Sequence, residues 1–174
     1  MSAGPVVSPG WPAAIGVLSF ETGVKIVSEI QVRALQPSDH DDWRRLWAAY
    51  LEFYKTTLSE AIYASTWERL FTEGEFEPRG FVARLDGNAV GLTHYMFHRS
   101  CWSLEGNCYL QDLFTDPSAR GSGAGTALIE AVRKAAAERG VANVYWMTHE
   151  TNDTARILYD RVARRTGFME YDLL

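Results

Sequence analysis

The chain has 174 residues, 47% of them hydrophobic and 13% aromatic, which is enough for one domain with a well-filled core. A net charge of −5 argues against a nucleic-acid-binding protein, because such proteins present a basic face. The two cysteines are too few for a disulfide framework or a zinc site, and no apolar run approaches the roughly 20 residues of a membrane span. We therefore expect a cytoplasmic protein that needs no metal and contacts neither nucleic acid nor membrane.

The N-terminal residues differ in composition from the rest of the chain. They are rich in Gly, Pro, Ser and Ala and have no hydrophobic period, which predicts a partly disordered extension over residues 1–29. Alternatively, residues 24–27 add an edge strand to the fold. Residues 30–174 are expected to form a single domain.

The first half of that domain is predicted to contain a strand, two helices and a hairpin. Alternation predicts a strand over residues 30–35, and Pro37-Ser38-Asp39 predicts a helix start with Ser38 or Asp39 as the N-cap. A second helix is predicted over residues 59–72. Strands over 80–85 and 89–97 flank Asp86-Gly87-Asn88, a strong hairpin turn signal. The first helix carries a stripe of large apolar and aromatic side chains at helical spacing: Trp43, Leu46, Trp47, Tyr50, Leu51 and Tyr54.

The second half alternates strands and helices. The predicted elements are a strand over 103–115, a helix over 123–139, a strand over 143–148, a helix from about Asn152 to just before Gly167, and a strand over 168–173. The strand, helix and strand between residues 103 and 148 predict a parallel pair with a right-handed crossover. The fold class is therefore α/β (α+β), in the order β-α-α-β-β-β-α-β-α-β.

A glycine-rich loop, Arg120 to Gly125, joins one of these strands to the helix that follows it. Glycines let successive backbone N–H groups converge on an anion, and a helix N-terminus adds partial positive charge. A P-loop needs Lys after its last glycine, where Thr126 stands, and no G-x-G-x-x-G pattern begins at Gly121 or Gly123. The loop therefore predicts an anion site of another kind.

The pattern Arg-x-x-Gly-x-Gly in this loop resembles the acetyl-CoA signature of the GNAT N-acetyltransferase superfamily. The resemblance covers about residues 30–174 and includes the run from Asn152 to Tyr159 and the pair Gly167-Phe168. Residues 109–113 and 51–54 look most like the histone/polyamine-type branch. This implies a mixed, mostly antiparallel central sheet flanked by helices, with a splayed parallel strand pair that holds the cofactor.

The resemblance also implies a role for individual residues. Backbone N–H groups from Gly121 to Thr126 hold the pyrophosphate, residues 113–115 pair with the pantetheine arm, and Asn152 touches that arm. Tyr159 is the implied catalytic residue, a proton donor to the leaving thiolate two helical turns from Asn152 on the same face. The full set of implied cofactor-binding positions is Leu113, Phe114, Thr115, Arg120, Gly121, Ser122, Gly123, Ala124, Gly125, Thr126 and Asn152.

The general base stays open at this level. Polyamine acetylators are expected to place a glutamate just before the aspartate of this strand, but Gln111 stands there and cannot act as a base. Asp112 points to the opposite face of a regular strand. The remaining candidates are Glu105, Asp112, His149, Glu150 or a water molecule.

Two further groups of side chains have alternative interpretations. The stripe on the first helix is expected to pack in the core, but Tyr50 and Tyr54 would also suit the edge of an acceptor pocket. His94 and His98 share a strand face, which suits either satisfied structural histidines or a metal site, and we favour the former.

We expect an N-acetyltransferase that uses acetyl-CoA as a cosubstrate. The acceptor is a primary amine, on a small amine, an amino acid or a protein lysine, and it attacks directly in a ternary complex. The alternative is a non-catalytic module that binds or senses acyl-CoA, which Gln111 favours and the pair Asn152 and Tyr159 disfavours. A homodimer is expected in either case.

Overall fold

The computed structural model describes residues 29–173, so residues 1–28, and with them the proposed edge strand, lie outside the description. The strands are β1 (Ile30–Ala34), β2 (Arg79–Leu85), β3 (Asn88–His98), β4 (Asn107–Thr115) and β5 (Val144–Tyr145). The helices are α1 (His40–Phe53), α2 (Glu60–Arg69), α3 (Ala124–Glu138) and α4 (Asp153–Val162). Among the described residues, no helix is long and apolar enough to cross a membrane.

The five strands form one sheet in the order β1-β2-β3-β4-β5. The first four strands pair antiparallel, whereas β4 and β5, which precede and follow α3 in the sequence, pair parallel. The β2–β3 turn contains Asp86 and Gly87 with φ of 50° and 84°, as expected of the predicted hairpin turn. The prediction of a mixed, mostly antiparallel sheet flanked by helices is therefore confirmed.

Each face of the sheet is covered by helices. On one face, α1 and α2 pack on Val82, Leu92 and Phe114. On the other face, α3 packs on small and apolar side chains that include Ala83, Val90, Cys108 and Leu110. The stripe on α1 belongs to the first core: Trp43, Leu46, Trp47 and Leu51 are buried, and Tyr50 packs at its edge.

Strand β4 contains the irregularity that shapes the site. It pairs Asp112 with His94 and Leu110 with Tyr95, so Gln111 is an extra residue in a β-bulge. In a regular strand Asp112 would share a face with Leu110, which packs with α3. The bulge instead turns Asp112 to the α1 face, where it contacts His94.

The parallel pair is short and then separates. Pairing between β4 and β5 is limited to Cys108 with Val144 and Tyr109 with Tyr145. The predicted strand over 143–148 is therefore only two residues long, because β4 bulges at Gln111, two residues after Tyr109, and diverges from its neighbour. The wedge between the separated segments is the splay implied by the sequence resemblance.

One sequence-based prediction holds in position only, and another was wrong. Asp39 is the N-cap residue of α1, as predicted, but its side chain makes no capping bond, because the Asp39 carboxylate is occupied by Arg33, Arg84 and the Gln36 N–H. The strand predicted over 168–173 is not formed, since among the described residues no strand lies alongside it. Its side chains Phe168, Met169, Tyr171 and Leu173 are exposed.

Candidate active site

A pocket of about 340 Å³ lies where β4 separates from β5. Its walls come from the end of α1, the second half of β4, the glycine loop with the start of α3, and one face of α4. It contains all the cofactor-binding positions named from sequence except Ser122, together with Tyr159. The structure thus brings segments separated by up to about a hundred residues to one site.

The glycine loop has the geometry of an anion cradle. Gly121 and Gly123 have φ of 80° and 93°, in the left-handed region that side-chain-bearing residues rarely adopt. Gly123 is the N-cap of α3, and Ala127 N–H donates to its carbonyl at 3.0 Å. The N–H groups of Gly125 and Thr126 precede that bond, so they are left without helical partners and are available to a phosphate.

Ser122 and Gly125 have structural roles in this loop. Ser122 N–H donates to Ala119 O at 3.2 Å, which closes the turn and directs Ser122 away from the pocket. A Cβ on Gly125 would lie 3.0 Å from Leu158 Cδ2 and 3.6 Å from Thr115 Oγ1. The glycine at this position therefore lets α3, α4 and β4 converge around the pocket.

Asn152 caps α4 and lines the pocket at the same time. Its Oδ1 accepts from Ala155 N–H at 3.4 Å, and its Nδ2 donates to Thr148 Oγ1 at 3.2 Å. Both bonds fix the start of α4 relative to the segment after β5. Because α4 is helical from Asp153, Asn152 and Tyr159 lie on one side of it and face the same pocket.

Tyr159 is half-buried between α4 and the segment after β5. Its ring meets the Trp146 ring edge-on, with centroids 5.3 Å apart. Burial, followed by the nearby Tyr54, raises the pKa of Tyr159 to about 12. The hydroxyl is therefore protonated at neutral pH and can donate its proton.

None of the candidate bases lines the pocket itself, but Asp112 acts on a residue that does. Glu105, His149 and Glu150 are exposed and lie outside the pocket lining, as do Gln111 and Asp112. Asp112 is 6% exposed, and its Oδ2 lies 2.8 Å from His94 Nδ1. Its charge also acts on Tyr50, which lines the pocket.

The two strand histidines are engaged in hydrogen bonds. His94 Nε2 accepts from Trp43 Nε1 at 2.8 Å, and His98 lies within hydrogen-bonding distance of Tyr145 Oη and Arg99 O. All four ring nitrogens therefore have partners, as expected of structural histidines. Within residues 29–173 no cluster of three or more His, Cys, Asp or Glu residues has the arrangement of a metal site.

Sequence reasoning missed part of the pocket. The apolar wall from α4 was not named, although helical spacing from Asn152 would have indicated Ala155 and Leu158. Arg161 also lines the pocket and brings a second guanidinium to it, in addition to that of Arg120. Tyr50 and Tyr54 do line it, in agreement with the alternative interpretation of the α1 stripe, whereas Trp43 and Trp47 belong to the core.

These residues fit a ligand with a pyrophosphate and an extended arm. The cradle of N–H groups with two arginines suits phosphates, and the β4 segment over 113–115 has no β5 partner in the wedge. Coenzyme A has both chemical parts. The bound group would then present its sulfur end towards Tyr159.

Known proteins match this chain in sequence over most of its length. Residues 40–163 match the model of the Acetyltransferase (GNAT) family. The chain is 35% identical to the D-amino-acid N-acetyltransferase HPA3 of Saccharomyces cerevisiae over 157 residues. That alignment covers 88% of this chain and 97% of the yeast protein. The chain is also 30% identical over 146 residues to the uncharacterized N-acetyltransferase YhfO of Bacillus subtilis, an alignment that covers 83% of this chain and 97% of YhfO.

A solved structure shares the fold. AAC(6')-Iy in complex with the bisubstrate analog CoA-S-monomethyl-acetylneamine matches with a TM-score of 0.75 at 18% identity, over 84% of this chain and 99% of that chain. The family match spans most of the described residues, from the start of α1 to the end of α4. The chain therefore belongs to the acetyltransferase (GNAT) family.

Proposed function

We propose that the protein transfers the acetyl group of acetyl-CoA to a primary amine by direct attack within a ternary complex. The observation that carries the proposal is the single pocket that joins the glycine loop, the unpaired end of β4 and the phenol of Tyr159. Backbone N–H groups of the loop, with Arg120 and Arg161, would hold the pyrophosphate. Residues 113–115 would align the pantetheine arm, and Asn152 would contact it.

The chemistry follows from where the charge develops. When the amine attacks the thioester carbonyl, the collapsing intermediate expels a thiolate, which a nearby acid stabilises by giving it a proton. Tyr159 suits this role, because its raised pKa keeps the hydroxyl protonated. Holding amine and thioester together in one pocket supplies much of the remaining rate.

A covalent acetyl-enzyme finds little support in the pocket. Among the described residues, no cysteine lines it. Cys108 is buried on the α3 side of the sheet, and burial raises the pKa of its thiol to about 11, which disfavours the nucleophilic thiolate. This supports direct attack over a two-step exchange.

The α-amine of an amino acid is the first acceptor to test. The relative from Saccharomyces cerevisiae is named as a D-amino-acid N-acetyltransferase and aligns over 88% of this chain. At 35% identity, the residues that contact the acceptor can differ between the two proteins, so the acceptor must be tested directly. Polyamines and peptide lysines, the acceptors suggested by the histone/polyamine branch, stay a prediction to be tested in parallel, as do the homodimer and the cytoplasmic location.

The test is release of the CoA thiol with D- and L-amino acids, polyamines and a lysine peptide as acceptors. We expect turnover with at least one class, and lines that intersect when initial rates are plotted against both substrates, because both must be bound before transfer. Parallel lines would contradict direct attack. Tight acetyl-CoA binding without thiol release for any acceptor would instead support the alternative, an acyl-CoA-sensing module.

A further inference from the structure

Three polar side chains, Trp43, His94 and Asp112, form a hydrogen-bonded row between α1 and the sheet, and Tyr50 packs on β4 next to its end. We name these four residues the Trp43–Tyr50 row. Trp43 Nε1 donates to His94 Nε2 at 2.8 Å, and His94 Nδ1 lies 2.8 Å from Asp112 Oδ2. Trp43, His94 and Asp112 are 0%, 3% and 6% exposed. Tyr50 lines the pocket, and its ring centroid lies 6.4 Å from that of Phe114, two residues beyond Asp112 on β4.

The row determines the tautomer of His94. An indole N–H can only donate, so His94 Nε2 must be an unprotonated acceptor. The ring proton is then on Nδ1, which donates to Asp112. Protonation of Nε2 would break the bond to Trp43, so the neutral ring is the form that fits. His94 therefore orients the carboxylate of Asp112 as a neutral donor rather than as a cation.

Asp112 is a buried carboxylate without a basic partner. Among the described residues, the ion-pair geometry around it involves only the neutral His94, and no Lys or Arg lies within salt-bridge distance. Burying a carboxyl group away from any basic side chain is costly unless neutral donors satisfy its oxygens, and His94 supplies such a donor here. The β4 bulge at Gln111 is what directs this carboxylate towards the α1 face.

Tyr50 connects the carboxylate to the pocket. Its pKa is raised by burial, then by the charge of Asp112, with further contributions from Tyr54, a hydrogen bond to Asp112, and Tyr159. These are the titratable groups that face it from α1, β4 and α4. The Tyr50 hydroxyl thus stays protonated, and its ring packs edge-on against Phe114, which follows Asp112 by two residues on the same face of β4. The phenol is therefore close to Asp112, and its oxygen lone pairs are available to a donor in the pocket.

We propose that Tyr50 and Asp112 together supply the base of the acyl transfer, with His94 and Trp43 holding Asp112 in place; this inference rests on the proposed function. The ammonium N–H bond breaks as its proton moves to Tyr50 Oη, and the phenolic proton moves to an Asp112 oxygen. The amine becomes neutral and attacks, while Asp112 becomes a neutral acid that later returns its proton to water. Tyr50 is the catalytic residue of this step, and Asp112 and His94 are positioning residues.

The test compares acceptors that differ in basicity. The probes are D-alanine and D-alaninamide, whose amine is less basic because an amide replaces the carboxylate. The variants are Tyr50→Phe and Asp112→Asn, with Tyr63→Phe as the control, since Tyr63 packs on Trp43 and Trp47 outside the pocket. Circular dichroism and thermal melting verify that each variant is folded.

At neutral pH we expect kcat with D-alanine to fall at least tenfold in Tyr50→Phe and in Asp112→Asn, and kcat with D-alaninamide to fall less than threefold. The loss with D-alanine should shrink as the pH rises towards the pKa of its amine. The double variant Tyr50→Phe/Asp112→Asn should lose no more kcat with D-alanine than the less active of the two single variants, because both residues act in the same proton transfer. KM for acetyl-CoA and the activity of Tyr63→Phe should stay unchanged.

His94 offers a second comparison. His94→Gln keeps a donor for Asp112 and an acceptor for Trp43, so it should retain most of the activity, whereas His94→Leu should reproduce the amine-dependent loss. Equal losses with both amines, or no loss in Tyr50→Phe, would contradict this inference alone. If neither amine nor any other acceptor supports thiol release by the wild-type protein, the proposed function fails and this inference fails with it.

Discussion

At the scale of single residues, two tyrosines that line the pocket, Tyr50 and Tyr159, have different surroundings. Burial raises the pKa of Tyr159 to about 12 and raises that of Tyr50 as well. Of the two, only Tyr50 has a carboxylate, that of Asp112, among the groups that raise its pKa, and we propose that this carboxylate takes its proton. Tyr159 has an aromatic neighbour, Trp146, and is left to donate towards the pocket. Two chemically identical side chains are thus suited to opposite directions of proton movement.

The raised pKa of Tyr159 leads to a pH prediction. A proton donor acts while it is protonated, so its contribution is present below its pKa and is lost only as the pH rises towards about 12. We expect kcat to show no decline attributable to Tyr159 between pH 7 and 10. The measurement is CoA-thiol release at saturating substrates, in the wild-type protein and in Tyr159→Phe. A decline of kcat in that pH range in the wild-type protein that is absent in Tyr159→Phe would contradict this assignment.

A second residue-scale prediction concerns Gly123, whose φ of 93° requires glycine even though a Cβ would meet nothing within 4 Å. Gly123→Ala should lower the free energy of unfolding by about 1–2 kcal/mol, the usual cost of a left-handed residue with a side chain. It should also weaken acetyl-CoA binding by about tenfold, because each lost hydrogen bond to a phosphate is worth roughly 1.5 kcal/mol.

Gly140 provides the matched control, since it has φ of 75° and equally open space at the other end of α3. Gly140→Ala should cost similar stability and leave acetyl-CoA affinity unchanged. Urea unfolding and titration calorimetry measure the two quantities. The same affinity loss in both variants would show that strain in α3, and not the cradle, controls binding.

At the scale of elements, β4 is the strand on which the site depends. Its first residues pair with β5, its bulge at Gln111 turns Asp112 towards α1, and its last residues line the pocket. The N-terminal end of α1 is anchored separately. There the carboxylate of Asp39, which is 2% exposed, accepts hydrogen bonds from Arg33 at 2.6 and 2.8 Å and from Arg84 at 2.8 Å. These bonds connect the start of α1 to β1 and β2.

The Asp39 cluster leads to a stability prediction. The Arg33 hydrogen bond, opposed by burial and assisted by the Gln36 N–H and Arg84, holds the pKa of Asp39 well below its usual range. Since the folded-state pKa is depressed, this stability is present above the unfolded pKa of about 3.9 and is lost as the pH falls below it. Asp39→Asn should cost about 3 kcal/mol at pH 7, because it leaves two arginines without their shared carboxylate.

Asp41→Asn is the control, because Asp41 is exposed on the same helix and should change stability by no more than about 0.5 kcal/mol. Denaturant unfolding between pH 3 and 7 measures both variants. The difference between wild type and Asp39→Asn should narrow towards pH 3. A constant difference across the range would mean that the carboxylate charge is not what stabilises the cluster.

At the scale of the whole molecule, the elements that follow a local period were predictable from sequence, and the long-range contacts were not. The hairpin at Asp86-Gly87 and helix α3 follow from local signals and are confirmed. The strand expected over 168–173 was wrong, because alternation alone cannot say whether a neighbouring strand is present. The glycine loop and Tyr159 were found through a family motif that depends on local sequence.

The acceptor side of the site lay beyond sequence reasoning. In a regular strand Asp112 points to the face opposite Gln111, and the bulge that changes its direction is a property of the β3–β4 register without a local sequence signal. His94 is 18 residues from Asp112 and 51 from Trp43, so their row exists only once α1 is docked on the sheet. Contacts of this kind depend on the tertiary arrangement and became visible only in the folded chain.

The central claim is that one pocket joins acetyl-CoA binding to proton donation by Tyr159. The most direct measurement compares CoA-thiol release, with the best acceptor at saturation, between the wild-type protein and Tyr159→Phe, alongside the acetyl-CoA dissociation constant of each. We expect release to fall at least tenfold while the dissociation constant changes less than about twofold, since the phenol acts on the leaving thiolate. Undiminished release, or a fall explained entirely by weaker acetyl-CoA binding, would contradict the claim.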